Sequence, residues 1–369
     1  MKLQNIGIAL SGGGIRAMLF HLGLFQWLAE NKYLAQVKKV SSVSGASLCV
    51  GMIYAHSNLC WPSSEEFLSA TLPSIKKALT NDLEKYAIWK WLTSPQYWNK
   101  KSNVIAQALE SKWGVNGRLC QLTGNVMWYV NCTTYETGKR FHFSRERMGD
   151  YVVGYVENPD IPLSEIMAAS AGFPGFIGPY ILNSADYNWT PSKYTKRMQS
   201  PSKKQKLHLW DGGIYDNLGL ESVFKPDDGG RLSEGIEFLI VSNASASINL
   251  QSRNHGLSTK TLRRILDISL DQVSALRSRM VMEFIKRTNQ GMYLKIGNSA
   301  EMITHASKCT NKLRLEITER CLPTEQAIKS MMYPTRLYRP DNSDLNMLIR
   351  HGYEVADCTY SCYINQEDD

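Results

Sequence analysis

The sequence predicts an α/β protein, a mainly parallel sheet with helices on both of its faces. Two observations carry the prediction. Residues 5–10 (NIGIAL) are a short apolar run ending in Ser11-Gly12-Gly13-Gly14, and residues 15–34 follow with helical spacing through Leu19, Leu22, Leu24, Phe25 and Leu28. Residues 37–44 (VKKVSSVS) then alternate apolar and polar positions as a second strand, and residues 46–59 resume as an apolar helix after Gly45. A β-α-β-α opening closes by right-handed crossovers into parallel strands covered by helices.

Further along, residues 61–113 read as mainly helical and rich in aromatics, with Tyr86, Trp89, Trp91, Tyr97 and Trp98 among Lys90, Lys100 and Lys101. Residues 126–134 and 140–144 read as strands joined by the turn Glu136-Thr137-Gly138-Lys139. Residues 162–171 form a helix that ends at Gly172-Phe173-Pro174-Gly175, and residues 183–206 are polar without clear periodicity. Strands follow at 207–210 and 237–242, and 259–288 is the longest amphipathic helix. The last eighty residues alternate short apolar runs with turn residues, and the chain holds no internal repeat.

Composition bounds the function. The 369 residues carry 42 Lys+Arg against 34 Asp+Glu, a net charge of 42 − 34 = +8, with 43% hydrophobic and 21% charged residues. Collagen-like, coiled-coil and disordered classes are excluded. Eight cysteines are too sparse for a disulfide scaffold, so they are expected as reduced thiols in a cytosolic protein. Residues 1–5 run straight into a strand pattern, with no secretory leader expected. The longest apolar stretch, 18–28, is broken by His21 and Gln26 and falls short of the roughly 20 residues that span a bilayer. The positive balance suits anionic partners, namely nucleic acid, lipid headgroups or phosphorylated substrates. No zinc pattern, helix-turn-helix cue or RNA-binding signature is present, so nucleic acid is disfavoured. Neither Cys309/Cys321 nor Cys358/Cys362 has ligand spacing for zinc.

Three readings compete for Gly12-Gly13-Gly14. A phosphate-binding P-loop needs Lys and Ser/Thr after its last glycine, where Ile15-Arg16 stands. A dinucleotide fingerprint fits Gly12-x-Gly14-x-x-Ala17, but it needs a carboxylate at the end of the second strand, which closes on Ser44-Gly45-Ala46-Ser47. The third reading is an oxyanion hole, backbone N–H groups converging at a helix N-terminus; the bland alternative is a plain strand-to-helix turn. Ser47, in Gly45-Ala46-Ser47-Leu48-Cys49, resembles the G-x-S-x-G nucleophile elbow, with Cys49 in place of the second glycine. An N-cap serine is the alternative. A serine nucleophile needs a base. None of His21, His56, His142, His208, His255, His305 and His351 stands in a recognisable context, whereas Asp211 sits at a strand end before Gly212-Gly213. Desolvation there would raise its proton affinity and suit it as general base; an ordinary Asp-Gly turn is the alternative.

In order and spacing, Ser11-Gly12-Gly13-Gly14-Ile15-Arg16, Ser44-Gly45-Ala46-Ser47 and Asp211-Gly212-Gly213 resemble the patatin-like phospholipase family. The resemblance extends to residues 168–176 (AASAGFPGF), to His351-Gly352-Tyr353, and over about 1–245 as a whole. It implies a three-layer α/β/α sandwich with helical insertions: a catalytic domain over 1–300 with a Trp-rich helical insertion at about 60–120, and a C-terminal extension, 301–369, packed on it. It implies Ser47 as nucleophile, Asp211 as base, Gly12, Gly13 and Gly14 as oxyanion donors, and Arg16 as a brace of the loop or a contact to lipid phosphate. No metal or other cofactor is implied. The implied substrate is a phospholipid or other glycerolipid, cleaved at a fatty ester bond through a Ser47 acyl-enzyme. The setting would be cytoplasmic, at the inner membrane surface, with peripheral membrane contact. From the residues themselves, Trp89, Trp91 and Trp98 with nearby lysines read either as anchors at headgroup depth or as aromatics packed over the sheet, and the basic segment 186–206 reads either as a mobile loop near the active site or as a solvated surface loop. Some bacterial relatives are membrane-damaging effectors, including antiviral ones switched on by cyclic nucleotides, so a regulated effector role and a small activating ligand such as a cyclic nucleotide belong to the expectation. The rival reading is a catalytically silent module that binds lipid or a regulatory ligand.

Overall fold

The computed structural model describes residues 3–94, 101–172, 177–192, 206–246, 256, 258–307 and 309–365. Trp98, the turn at 173–176 and Lys193, Lys196, Arg197, Lys203 and Lys204 lie outside these residues.

A ten-stranded sheet organises the chain. Its order is β12 (Gly291–Lys295), β11 (Phe238–Asn243), β1 (Ile6–Leu10), β2 (Val37–Val43), β3 (Met127–Thr134), β4 (Arg140–Phe143), β5 (Arg147–Asp150) and β6 (Gly154–Glu157). The five strands from β12 to β3 are parallel, and β4 to β6 continue as an antiparallel meander. A branch, β8 (Lys206–Asp211), pairs antiparallel with β3 and carries β7 (Tyr180–Asn183) on its other edge. The short strands β5 to β7 are not expected from the sequence, since Gly149, Asp150, Gly154 and Asn183 within them are turn-forming residues.

The sheet separates two cores. Along β1, Ile6, Ile8 and Leu10 face one core and Ala9 the other, the alternation a strand imposes. The larger core lies under α1 (Gly14–Glu30), α2 (Gly45–Ala55), α7 (Leu163–Ser170) and α13 (Asn342–Tyr363). It continues into the helices α3 (Ser64–Glu66), α4 (Leu72–Ala78), α5 (Leu83–Thr93) and α6 (Lys101–Trp113). On the opposite face, Leu218 and Leu220, just after α8 (Gly213–Asp216), pack with Phe224 and with Val281 and Phe284 from the end of α9 (Thr259–Thr288). These are the three layers.

Beyond β12 the chain is helical: α10 (Ala300–Ala306), α11 (Asn311–Arg320), α12 (Thr324–Met332) and α13. The sequence reading of short runs and turns misses the 22-residue α13. Its buried positions, Leu345, Leu348, Ile349, His351, Gly352, Val355, Ala356, Cys358, Thr359 and Cys362, keep helical spacing, but three of the ten are histidine, glycine and threonine, which blurs the apolar stripe. α1 is buried on every side because it is held between the sheet and α13. Two glycines let these helices approach: a Cβ on Gly23 would lie 2.0 Å from the Ile349 carbonyl oxygen, and one on Gly352 would lie 1.9 Å from that of Phe20.

Gly352→Val is therefore expected to lower the unfolding free energy by about 3 kcal/mol, the upper end of the cost of overpacking. Urea denaturation checks this, and a variant as stable as the parent would show that the helices part without cost.

Candidate active site

The site forms where two strands meet end to end on one edge of β3. β2 pairs in parallel with the first part of that edge, closing at Val43 opposite Asn131. β4 occupies the other edge at Cys132 and Thr133, so β8, which pairs with the same residues, takes up the edge that β2 leaves. β8 runs in the opposite sense and ends at Asp211, opposite Cys132. The last residue of β8 and the first residue beyond β2 are thereby set side by side.

That first residue is Ser44. Its backbone sits at φ 53, ψ −120, a conformation that costs a non-glycine residue about 1–3 kcal/mol and is concentrated at functional sites. The turn closes only because Gly45 follows, since a Cβ there would lie 2.0 Å from the Gly14 carbonyl oxygen. The Ser44 N–H donates to Ser170 Oγ at 2.9 Å, and its hydroxyl donates to the Asp211 carboxylate. Asp211 is held by its own backbone, with its N–H on the Gly172 carbonyl at 3.1 Å and its carbonyl accepting from Thr133 Oγ1 at 3.0 Å. Burial pushes its carboxyl up to about 6, against the pull of the bonds from the Gly213 N–H, at 2.7 Å, and from Ser44.

Ser47, the expected nucleophile, is not brought to Asp211. Ser47 lies one turn inside α2, fully buried, and its hydroxyl bonds to Ser42 Oγ and Ser170 Oγ, both at 2.9 Å. The hydrogens in this cluster have one consistent order. Ser170 donates to the Asn131 carbonyl at 2.8 Å, so its oxygen accepts from the Ser44 N–H and from Ser47. Ser47 then accepts from Ser42, which accepts from Trp128 Nε1 at 2.8 Å. Ser47 is a support of the elbow, and Ser44 is the serine that reaches Asp211. The signal available in the sequence was position: Ser44 directly follows the strand, with small residues at Ser42 and Ala46 on either side of the Val43-Ser44-Gly45 turn. Reading Gly45 as the first glycine of the elbow shifts the nucleophile by three.

The glycine loop is also narrower than expected. Gly13 and Gly14 have φ 145 and φ 62, and among the described residues their N–H groups donate to nothing. The Gly12 N–H does not share that freedom, being bonded to the Asn217 carbonyl at 3.2 Å. Gly12 serves by its missing side chain, since a Cβ would meet Ser44 Cβ at 3.0 Å and Asn217 Oδ1 at 2.6 Å. Arg16 is buried and spends its guanidinium on two backbone carbonyls, Ala244 at 3.1 Å and Tyr333 at 2.5 Å. Burial lowers its pKa to about 10. It is a brace between the loop, β11 and the C-terminal helices, and not a phosphate contact. The Ile15 N–H is bonded to the Arg336 carbonyl at 2.9 Å, a second tie to the same extension.

Among the described residues no histidine bonds to Ser44 or Asp211. His21 lies under the loop, on the Ser11 carbonyl at 2.9 Å and Ser242 Oγ at 3.0 Å, with its pKa lowered to about 4 by burial. No group of His, Cys, Asp and Glu among the described residues is arranged to hold a metal ion. Chemically, the arrangement offers a hydroxyl, a carboxylate able to take its proton near neutral pH, and two unspent N–H donors at a helix N-terminus.

Fold and site together define a three-layer α/β/α protein with a strained serine elbow and a buried carboxylate beside it. A family model described as Patatin-like phospholipase matches residues 8–224, more than half of the chain, and the chain belongs to that family. It is 22% identical over 251 residues to a patatin-like phospholipase domain-containing protein of Neurospora crassa, covering 66% of this chain and 24% of that protein. A protein of the same description from Pyricularia oryzae is 22% identical over 254 residues, covering 66% of this chain and 27% of the relative. The chain thus spans about a quarter of the length of these curated relatives. Among solved structures, human GIVD cytosolic phospholipase A2 superimposes with a TM-score of 0.52 at 12% identity, covering 96% of this chain and 59% of that one. This likeness is one of fold.

Asp211 binds its proton more tightly folded than unfolded, so its burial costs no stability below about pH 4 and destabilises the fold increasingly as pH rises through about 6. Asp211→Asn is therefore expected to be more stable than the parent at pH 8, by up to about 3 kcal/mol, with the difference shrinking towards pH 4. Urea melts at the two pH values check both the sign and the trend.

Proposed function

We propose that the protein is a lipid acyl hydrolase that cleaves fatty ester bonds of membrane glycerophospholipids, with Ser44 as nucleophile and Asp211 as its base. The observation that carries this reading is the hydrogen bond from a serine on a strained strand-to-helix turn to a buried carboxylate whose pKa is raised to about 6. Asp211 takes the hydroxyl proton as Ser44 Oγ attacks the ester carbonyl. The resulting oxyanion lies against the Gly13 and Gly14 N–H groups, at the positive end of α1. The alcohol leaves with the proton, and water, deprotonated by Asp211, hydrolyses the acyl-enzyme to a fatty acid and a lysolipid. Every step uses side chains and amides of the chain itself.

Delivery of lipid is the second requirement. No helix among the described residues is long and apolar enough to cross a membrane. Peripheral contact is supported on α5, where Ile88, Trp89 and Leu92 are all at least half exposed, beside Lys85 and Lys90. Amphipathic aromatics flanked by lysines settle at headgroup depth. Trp91, from the same expectation, packs against the core and beneath Lys101.

Fatty acid release from phospholipid vesicles tests the assignment. Ser44→Ala is expected to lose at least about 10³-fold in rate, as removal of a nucleophile does, while Ser47→Ala keeps its rate within about tenfold. The reverse pattern would return the nucleophile to Ser47, and full activity in both variants would sink the mechanism. In the parent, kcat/KM is expected to rise with pH through about 6 and level off above it, because only the ionised Asp211 accepts the proton.

A further inference from the structure

The C-terminal extension carries a group of thiols that the hydrolase chemistry does not use. Cys321, in the turn after α11, and Cys358, on α13, have their sulfur atoms 3.5 Å apart. Neither is in a disulfide. The flanking residues hold the two together. On one side of Cys321, Arg320 pairs with Asp357 at 2.6 Å and its carbonyl accepts from Arg350 Nη2 at 2.9 Å. On the other, the Leu322 N–H donates to Glu354 Oε2 at 2.8 Å. Residues 320 and 322 are thus both pinned to the α13 turn that bears Cys358, so the sulfurs face each other without any movement of the chain. Exposure differs between them, since Cys321 is half-buried and Cys358 is buried.

We propose that Cys321 and Cys358 are a peroxide-oxidisable dithiol, closing to a disulfide that ties the α11–α12 turn to α13. Cys321 is the attacking thiol. The hydrogen bond it receives from Cys358 holds its pKa below the ordinary thiol value and pushes that of Cys358 up. A thiolate is the nucleophile in thiol oxidation, and the half-exposed member of the pair is the one a small peroxide reaches. The Cys321 sulfur attacks one peroxide oxygen, the O–O bond breaks, and the products are a sulfenic acid and, after protonation, water. The Cys358 sulfur then displaces hydroxide from the sulfenic sulfur and its proton leaves in a second water. Two thiols lose two electrons, and hydrogen peroxide becomes two waters. The loop closed by the new bond contains Tyr333 and Arg336, whose carbonyls hold Arg16 and Ile15 at the glycine loop, so oxidation ties down the segment that braces the candidate site.

The test treats the reduced 369-residue chain with a small excess of hydrogen peroxide and follows intact mass, free thiols and non-reducing peptide maps. The expected result is a loss of two thiols and about 2 Da, a single peptide pair linking Cys321 to Cys358, full reversal by dithiothreitol, and a raised Tm in the oxidised form. Cys358→Ser should lose the cross-link and carry sulfenic or higher acids at Cys321. Cys120→Ser, which removes an exposed thiol elsewhere, should keep the cross-link. The proposal is overturned if Cys321 and Cys358 stay reduced while Cys120 oxidises, or if the linked pair involves Cys309 or Cys362. Stoichiometric zinc in the purified chain that blocks thiol titration at Cys321 would overturn it equally.

Discussion

Everything at the candidate site depends on how one edge of β3 is shared. A strand offers two edges, and β3 gives one to β4 and divides the other between β2 and β8. Parallel pairing brings β2 up that edge and antiparallel pairing brings β8 down it, so their ends converge between Asn131 and Cys132. Neither Ser44 nor Asp211 needs a long loop to find the other. The Asn131 side chain reinforces the junction, donating to the Ser42 carbonyl at 2.8 Å and to Ser41 Oγ at 3.0 Å, while the Asn131 backbone carbonyl accepts from Ser170 Oγ. Gly212 follows from the same crowding, because a Cβ there would lie 2.4 Å from the Asn131 carbonyl oxygen.

Close approach of backbones explains why the site is written in glycine. Gly45 against Gly14, Gly12 against Ser44 and Gly212 against Asn131 are three contacts in which a methyl group would displace main chain or Ser44. The same closeness shuts out water around Asp211 and so raises its pKa. Stability and the proposed reactivity therefore pull in opposite directions at this residue: the burial that would suit the carboxylate to act as a base is the burial that weakens the fold as pH rises through about 6. Ser170 offsets part of the strain by holding the Ser44 amide, a role that no motif match would assign to it.

Much of this was legible in the sequence, and the misses have a common cause. The β-α-β-α opening, the bounds of α9 and the placing of Asp211 at a strand end rest on periodicity and on glycine punctuation, both local properties. The identity of the serine is local too, but ambiguous, since Ser41, Ser42, Ser44 and Ser47 stand within seven residues and two of them fit a small-x-Ser-x-small pattern. Backbone dihedrals separate them, and composition does not. Which glycine amides are spent depends on Asn217, more than two hundred residues away in the chain, and the fate of Arg16 depends on Tyr333. Long-range partners of this kind leave no trace in a window of neighbouring residues.

The dependence on residues 333–336 also changes what the C-terminal extension is for. The family model ends at residue 224, and a sheet with its loops might be thought sufficient for the chemistry. In this chain the glycine loop is held from outside that region: Arg16 reaches the Tyr333 carbonyl, Ile15 donates to Arg336, and Gly14 must be glycine because the Arg336 carbonyl oxygen would lie 2.8 Å from its Cβ. The Gly13 and Gly14 N–H groups, which donate to nothing among the described residues, are flanked by ties at 12, 15 and 16. Two of those three ties run to the extension, through the Ile15 amide and the Arg16 side chain, and α13 completes the arrangement by clamping α1 through Gly23 and Gly352. The extension is thus a structural half of the loop that would receive the oxyanion, and the helix crossing far from Ser44 belongs to the same mechanical unit as the site.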